Sequence, residues 1–409
     1  MQTSRKPPVA PVDEFTGLSA ARFAVYIHFP YCLSKCPYCD FASTAAKVVP
    51  EERYAAAIAR ELAWRADRWG LRQREVHSVF FGGGTPSLWH PRFVGQVLDT
   101  LTSTFRVSPD IEVTLEANPG AADAERFAGY RQAGVNRLSM GVQSFNPLTL
   151  KALGRAHDGP TAVKAYGYAR AAGFENISMD FIYGVQGQTA QQVRADAEQA
   201  AAMGSEHLSA YALTLDRESL AEDVPLAKQL ARGEVTLPPD DDVVAMQRAV
   251  REVYGAAGLE RYEVSNYARP GFHSRHNAAY WTGGEYLALG VGATGFIRTA
   301  SGPLRYSNQR SADRYLLEVE GEPATRAIEA TVEPLDAEAL FEERVAMGLR
   351  LCAGIDLAAV CEAFGQSFAK RAMTVRHLAS QGMVFERGGR LQLTDRGFDV
   401  HSAIAARLM

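Results

Sequence analysis

The chain lacks any apolar run of the ~20 residues needed to span a bilayer, so no transmembrane helix is expected. It also lacks an excess of either charge. Lys and Arg number 43 against 47 Asp and Glu, a formal net charge of -4, which gives no electrostatic reason to expect DNA, RNA or an acidic membrane as partner. Cysteine is scarce, with five residues at 32, 36, 39, 352 and 361. An odd number, three of them crowded into eight positions, argues against a disulfide framework. Cys352 and Cys361 lie in the apolar stretch MGLRLCAGIDLAAVCEAF and read as small buried hydrophobes. The first 17 residues mix Pro, Lys, Arg, Asp and Glu without an apolar centre, unlike a signal peptide. Residues 1–20 are therefore read as a disordered lead-in, and the cytoplasm as the default location.

What is present is an ordinary globular composition, 47% hydrophobic and 22% charged, in a chain long enough for more than one core. Six apolar, β-rich runs predict strands at 23–29, 76–81, 111–117, 137–142, 177–183 and 207–213. The intervening segments 50–69, 91–105, 121–133, 161–172 and 190–203 are rich in Ala, Leu, Glu, Arg and Gln and predict helices. Alternation of this kind implies a parallel sheet with right-handed crossovers, here a six-fold βα partial barrel of the TIM type over residues 21–215. The phrases RQAGV, RAAGF and YGAAGL each read as a helix end, a Gly cap and the next strand.

Residues 216–330 read as a connecting α/β region. Within it, residues 265–310 are rich in Gly, Asn, His, Tyr and Trp with little periodicity, and are expected to be loop-like and near a site. From 331 to 409 the pattern becomes helices followed by a short strand pair around Gly388-Gly389, a winged-helix-like α+β module. Such modules often bind DNA. Acidic and basic residues after 335 are roughly equal in number and form no basic stripe, so no nucleic-acid partner is expected.

The chemistry concentrates in YIHFPYCLSKCPYCD, directly after the first strand, where barrel enzymes place their active sites. Cys32, Cys36 and Cys39, spaced C-x3-C-x2-C with Tyr38 before the last, can wrap three corners of an Fe4S4 cube and leave one iron open. An open iron can take the amino and carboxylate groups of S-adenosylmethionine. The alternatives are a zinc site with His28 as fourth ligand, or simply buried thiols. FGGGTP ends the second strand, and its glycines (Gly83, Gly84 and the following Thr85 among them) let backbone approach a ligand closely; a tight turn is the plainer reading. Glu116, Gln143 and Asp180 sit at the ends of the next strands, and Arg155 follows in LGRAH, so all are expected to converge on one cleft. Each alone could be a satisfied structural polar group.

The phrases VYIHFPYCLSKCPYCDF, FFGGGTPS, EANPG, GVNRLSMGVQSF, LGRAH, DFIYG and ERYEVSNYARPGFHSRHNAAYW together resemble the HemN/HemW group of radical S-adenosylmethionine proteins, over nearly the whole chain beyond residue 20. The resemblance implies that Tyr26, Gly83, Thr85, Glu116, Gln143, Arg155 and Asp180 contact adenosylmethionine. One branch of the group comprises oxygen-independent coproporphyrinogen III dehydrogenases, enzymes that decarboxylate propionates. The other comprises chaperones that bind heme and pass it to client proteins.

Three features favour the chaperone branch. Phe41 stands where the dehydrogenases carry a fourth cysteine; only 31 residues precede Cys32; and His276, Asn277, Tyr280 and Trp281 match the phrase H-N-x-x-Y-W. Imidazole is a common axial ligand of heme iron, and Tyr and Trp offer flat faces to a porphyrin. Arg269, Arg275 and Arg298 could meet propionates, and His273 is an alternative ligand. The plainer reading is a His and a Trp packed in a domain seam. Two departures from the group are Thr294 in place of an expected His and Val185-Gln186 in place of Leu-Pro. Expected partners are heme and heme-accepting clients, and a homodimer is compatible with the sequence.

Overall fold

The computed structural model describes residues 22–121, 123–215, 224–321 and 328–409. The lead-in expected at 1–20 lies outside the described residues, as do 216–223 of the connecting region. All six expected strands are present: β1 (Arg22–Phe29), β2 (Glu75–Gly83), β3 (Arg106–Ala117), β4 (Arg137–Gln143), β5 (Ile177–Tyr183) and β6 (His207–Ala212). They pair in parallel, in chain order.

The crossovers carry α1 (Glu51–Arg68), α2 (Pro91–Thr104), α3 (Ala124–Gln132), α4 (Pro147–Ala152), α5 (Gly159–Ala171) and α6 (Ala190–Ala202). Local chemistry sets their starts. Asp123 and Asp158 cap α3 and α5, and Thr189 with Gln192 forms a capping box on α6. The three expected Gly caps, Gly134, Gly173 and Gly258, all adopt positive φ.

The sheet continues past the six strands on both sides, which the sequence reading did not anticipate. After α7 (Pro225–Ala231) and α8 (Asp240–Ala256), β7 (Asn266–Ala268) pairs antiparallel with β6. Then α9 (Arg275–Trp281) leads to β8 (Tyr286–Gly290), which pairs in parallel with the free side of β1. Strands β9 (Thr294–Thr299) and β10 (Gly302–Asn308) follow antiparallel; α10 (Ala312–Glu320) and β11 (Glu329–Pro334) complete that edge. With the two-residue strand Glu260–Arg261, the result is an open sheet of twelve strands. The region 265–310, expected to be loop-like, thus contains four strands, β7 to β10, and the helix α9. Its strands alternate weakly because Gly290 and Gly295 make room for Tyr54 and Tyr306.

A buried polar cluster fastens β8 and β10 to α1. Glu61 accepts from the Gly290 N–H at 2.8 Å and from Tyr315 Oη at 2.7 Å, while Arg65 donates to Glu61 and to Asn308 Oδ1. Arg65 also lies 3.9 Å over the Tyr306 ring. Every charge here has a partner, which is the condition for burying one without a large penalty.

The C-terminal segment has its own apolar cluster, which includes Phe341, Val345, Leu349 and Leu378. It comprises α11 (Ala337–Gly348), α12 (Leu357–Ala363), α13 (Phe368–Ser380), the hairpin β12 (Val384–Arg387) and β13 (Arg390–Leu393), α14 (Asp395–Asp399) and α15 (His401–Leu408). Gly388 and Gly389 turn the hairpin at φ 57° and 75°, as a two-residue turn of the primed type needs. Cys361 is buried in this cluster and Cys352 packs against it, as free thiols.

Candidate cofactor site

The loop after β1 returns on itself. Thr44 N–H donates to Pro30 O and Ala46 N–H to Cys32 O, so the cysteine segment is pinned at both ends over the C-terminal edge of the sheet. The three thiols line one cavity of about 540 Å³ together with Tyr26, Tyr38, Gly83, Gly84, Thr85, Glu116, Gln143, Arg155 and Asp180. His276, Asn277 and Tyr280 line it as well. Trp281 does not; it faces a second cavity on the other side of α9.

Among the described residues, no three His, Cys, Asp or Glu side chains converge tightly enough to hold a single metal ion. The zinc alternative loses its fourth ligand too. His28 Nδ1 lies 3.0 Å from Tyr26 Oη and Nε2 lies 3.0 Å from Ala42 O, and burial keeps the ring neutral, its pKa pulled down to about 4. A cube needs thiols spread around its corners rather than gathered on one ion, and three cysteines on one cavity wall suit it.

Shape and polarity fit a bound nucleotide cofactor. A Cβ on Gly84 would meet Tyr31 O at 2.8 Å and Cys32 Sγ at 3.0 Å. A Cβ on Gly83, at φ +114°, would strike the His28 imidazole at 2.6 Å. Only glycine leaves this backbone bare. Thr85 Oγ1 donates to Cys32 Sγ at 3.4 Å and Arg155 Nη1 to Cys36 Sγ at 3.4 Å. Arg155 Nη2 is held by Gly141 O, while its Nε is buried without a partner.

Two carboxyls face each other electrostatically. Glu116 accepts from the Gly83 N–H at 3.0 Å, yet burial, and then the Asp180 charge, push its pKa up to about 8. Asp180 is held by Ser139 Oγ at 2.7 Å and Ser178 Oγ at 2.9 Å. Gln143 has φ 66°, and among the described residues no other non-glycine has positive φ. That strained backbone at the end of β4 aims its side chain at the cavity.

Several lining residues escaped the sequence reading. Arg137, Ser139 and Gly141 alternate along β4 with the expected Gln143 and line the cavity with it, as do His207, Ser209 and Tyr211 of β6. The signal was there in RLSMGVQ and HLSAY, where polar residues recur every second position on one face. Arg137 is 1% exposed, takes part in no ion pair among the described residues, and reaches only Thr114 Oγ1 at 3.5 Å; its Nε has no partner.

A family model described as the radical SAM superfamily matches residues 26–200, and one described as the HemN C-terminal domain matches 335–400. A curated protein named heme chaperone HemW from Mycobacterium tuberculosis is 37% identical over 406 residues, 98% of each chain. The chain belongs to the HemW family. The HemW of Bacillus subtilis is 31% identical over 380 residues, 91% of this chain and 96% of that one. Among solved structures, coproporphyrinogen III oxidase (HemN) from Escherichia coli superposes with a TM-score of 0.78 at 20% identity, covering 97% of this chain and 92% of its own, which establishes the shared HemN-type fold. The radical SAM match implies a [4Fe–4S] cluster with S-adenosylmethionine, and the cavity of this chain presents a donor set suited to both.

Of the remaining expected residues, Arg275 pairs with Asp110 at 2.7 Å and His273 stacks on Tyr262 at 4.3 Å. Thr294 is exposed and bonded to Ser307 Oγ, away from the cavity. Phe41, 54% exposed, lies at the rim.

Proposed function

We propose that the chain is a heme chaperone: it carries a [4Fe–4S] cluster on Cys32, Cys36 and Cys39, binds S-adenosylmethionine beside it, takes up heme and delivers it to client proteins. The observation that carries this reading is the end-to-end identity with named HemW proteins, joined to a cavity that brings the three thiols and the bare glycine backbone together. The barrel, residues 21–215, serves as the cofactor unit. Residues 216–330 present the heme segment, and residues 331–409 form the winged-helix-like module. No helix among the described residues is long and apolar enough to cross a membrane, and five cysteines without a disulfide, three of them assigned to the cluster, suit a cytoplasmic location.

Within the cavity, Gly83 and Gly84 admit the amino-acid end of adenosylmethionine. Glu116 and Asp180 meet its cationic and hydroxyl groups, Arg155 and Gln143 its acceptors, and Tyr26 and Tyr38 supply ring faces. The bound pair supplies one-electron chemistry at the sulfonium. His276 is the candidate iron ligand of heme, flanked by Asn277 and Tyr280, and Trp281 lies one residue beyond on the far face of α9.

The test is anaerobic reconstitution followed by two additions. Ferric heme should bind tightly. Coproporphyrinogen III with adenosylmethionine and a reductant should return unchanged. Formation of protoporphyrinogen would instead make the chain a dehydrogenase.

A further inference from the structure

Helix α9 separates the cofactor cavity from a second one, of about 500 Å³, that lies between the sheet edge and the C-terminal helices. This volume falls in the range of roughly 300–1,000 Å³ usual for small-molecule and cofactor sites. Much of the wall is apolar, with Trp281, Phe296, Met347, Val360 and Phe364 contributing. Tyr280 lines both cavities, so they adjoin through one side chain.

The charges around this seam do not cancel. Arg298, Arg344 and Arg390 line it. Arg344 reaches only a backbone carbonyl, Trp281 O at 3.0 Å. Arg390 likewise holds only carbonyls, Ala353 O at 2.9 Å and Gly354 O at 2.6 Å. Neither guanidinium has a carboxylate within ion-pair distance among the described residues. Burial, and then the charge of Arg390, pull the pKa of Arg344 below its usual value.

The two acids on the wall are already committed. Glu343 takes Arg305 Nη2 on both oxygens at 2.7 and 2.6 Å, and Asp356 caps α12 by accepting from Ala359 N–H at 2.9 Å. Trp281 adds a buried Nε1–H with no acceptor. Cations held in an apolar recess without counter-ions are costly to fold. The missing negative charge is therefore best supplied by a ligand, and the apolar wall calls for one with an apolar body.

Resting on the heme reading above, we propose that this seam holds the propionate side of the porphyrin plate of heme, with its carboxylates on Arg344 and Arg390 and the iron facing His276 once Tyr280, the side chain common to both cavities, turns aside. The pairing is of the guanidinium–carboxylate kind, in which Arg is stronger and more selective than other cations. A free inorganic anion would use the arginines and leave the apolar wall idle. A fully esterified porphyrin would do the reverse.

The experiment titrates the full-length reconstituted chain with ferric heme and, separately, with heme dimethyl ester, followed by absorbance. The wild type should prefer heme to its ester by about tenfold or more. The double variant Arg344→Gln/Arg390→Gln should lose that preference, falling to ester-like affinity for both. Ala363→Trp, at an exposed position on the rim of the seam, should weaken both ligands without touching the core. Unfolding midpoints and cluster content serve as controls for folding. If the glutamine variant fails to fold, retained heme affinity in Ala363→Trp overturns the proposal alone. Unaltered heme preference in a folded glutamine variant overturns it while leaving the heme reading intact. A wild type that binds neither ligand overturns both.

Discussion

Tyr280 Oη lies 2.8 Å from His276 Nε2, one helical turn apart on α9, and caps the nitrogen that an iron atom would need. Ser78 Oγ, 3.1 Å from Nδ1, engages the other side, and burial lowers the imidazole pKa well below its usual value. The ring is neutral and satisfied, and metal ligation requires the Tyr280 hydroxyl to leave.

Tyr280→Phe removes that hydroxyl and leaves Nε2 buried and unpaired, at a cost of about 1–3 kcal/mol in denaturant unfolding. The same change uncovers the nitrogen, so ferric heme should bind more tightly than to the wild type, with an imidazole-ligated spectrum that His276→Ala abolishes. Equal heme spectra in all three proteins would remove His276 as a ligand.

Glu116 gives a pH dependence with a definite sign. Its pKa of about 8 leaves the carboxyl mostly protonated at neutral pH. A cationic ligand favours the carboxylate, so adenosylmethionine affinity should rise as pH climbs through neutrality toward about 8 and level off above it, with a proton released on binding near neutrality. Glu116→Gln should flatten that rise. For the free chain the sign is opposite, because a raised carboxyl pKa costs stability as pH climbs from the unfolded value toward 8. Isothermal titration in buffers of different ionisation enthalpy reads the proton directly.

Gly83→Ala should be severe. The new Cβ meets a His28 ring that cannot retreat, being held by Tyr26 on one side and Ala42 O on the other, and the backbone sits at a φ that alanine resists. A loss of about 1–3 kcal/mol is expected from overpacking alone, with adenosylmethionine binding lost in whatever fraction still folds. Thermal unfolding and equilibrium dialysis together check it.

Arg137 is expected to behave in the opposite way. It is a buried cation with one long hydrogen bond. Arg137→Met keeps the length and removes the charge, so stability should increase by about 1–4 kcal/mol, the gain seen when buried ion pairs are replaced by apolar side chains of similar volume. Binding of anionic ligands in the cofactor cavity should weaken. A destabilised variant would mean that the guanidinium is compensated in the native chain.

The barrel was legible in the sequence because each parallel strand is an apolar run bounded by a helix with its own caps, and Gly134 or Gly173 marks the return. Cys32, Cys36, Cys39 and the glycine run could be placed for the same reason: they follow strand ends. The edge strands β8 to β10 were not legible. They are short, partly glycine, and owe their place to Glu61 and Arg65 more than 220 residues away. The division of His276 and Trp281 between two cavities could not be read either. Only the packing of α9 against the C-terminal helices decides which side chain faces which space. Arg137 could have been found from its alternation with Ser139 and Gln143.

The most direct test of the cluster assignment is the electron paramagnetic resonance spectrum of the dithionite-reduced, reconstituted chain, recorded with and without S-adenosylmethionine. A [4Fe–4S] signal that shifts on addition of adenosylmethionine, and is absent after Cys32, Cys36 and Cys39 are all replaced by Ser, is the predicted result. A four-iron signal that survives the triple replacement, or one indifferent to adenosylmethionine in the wild type, would contradict it.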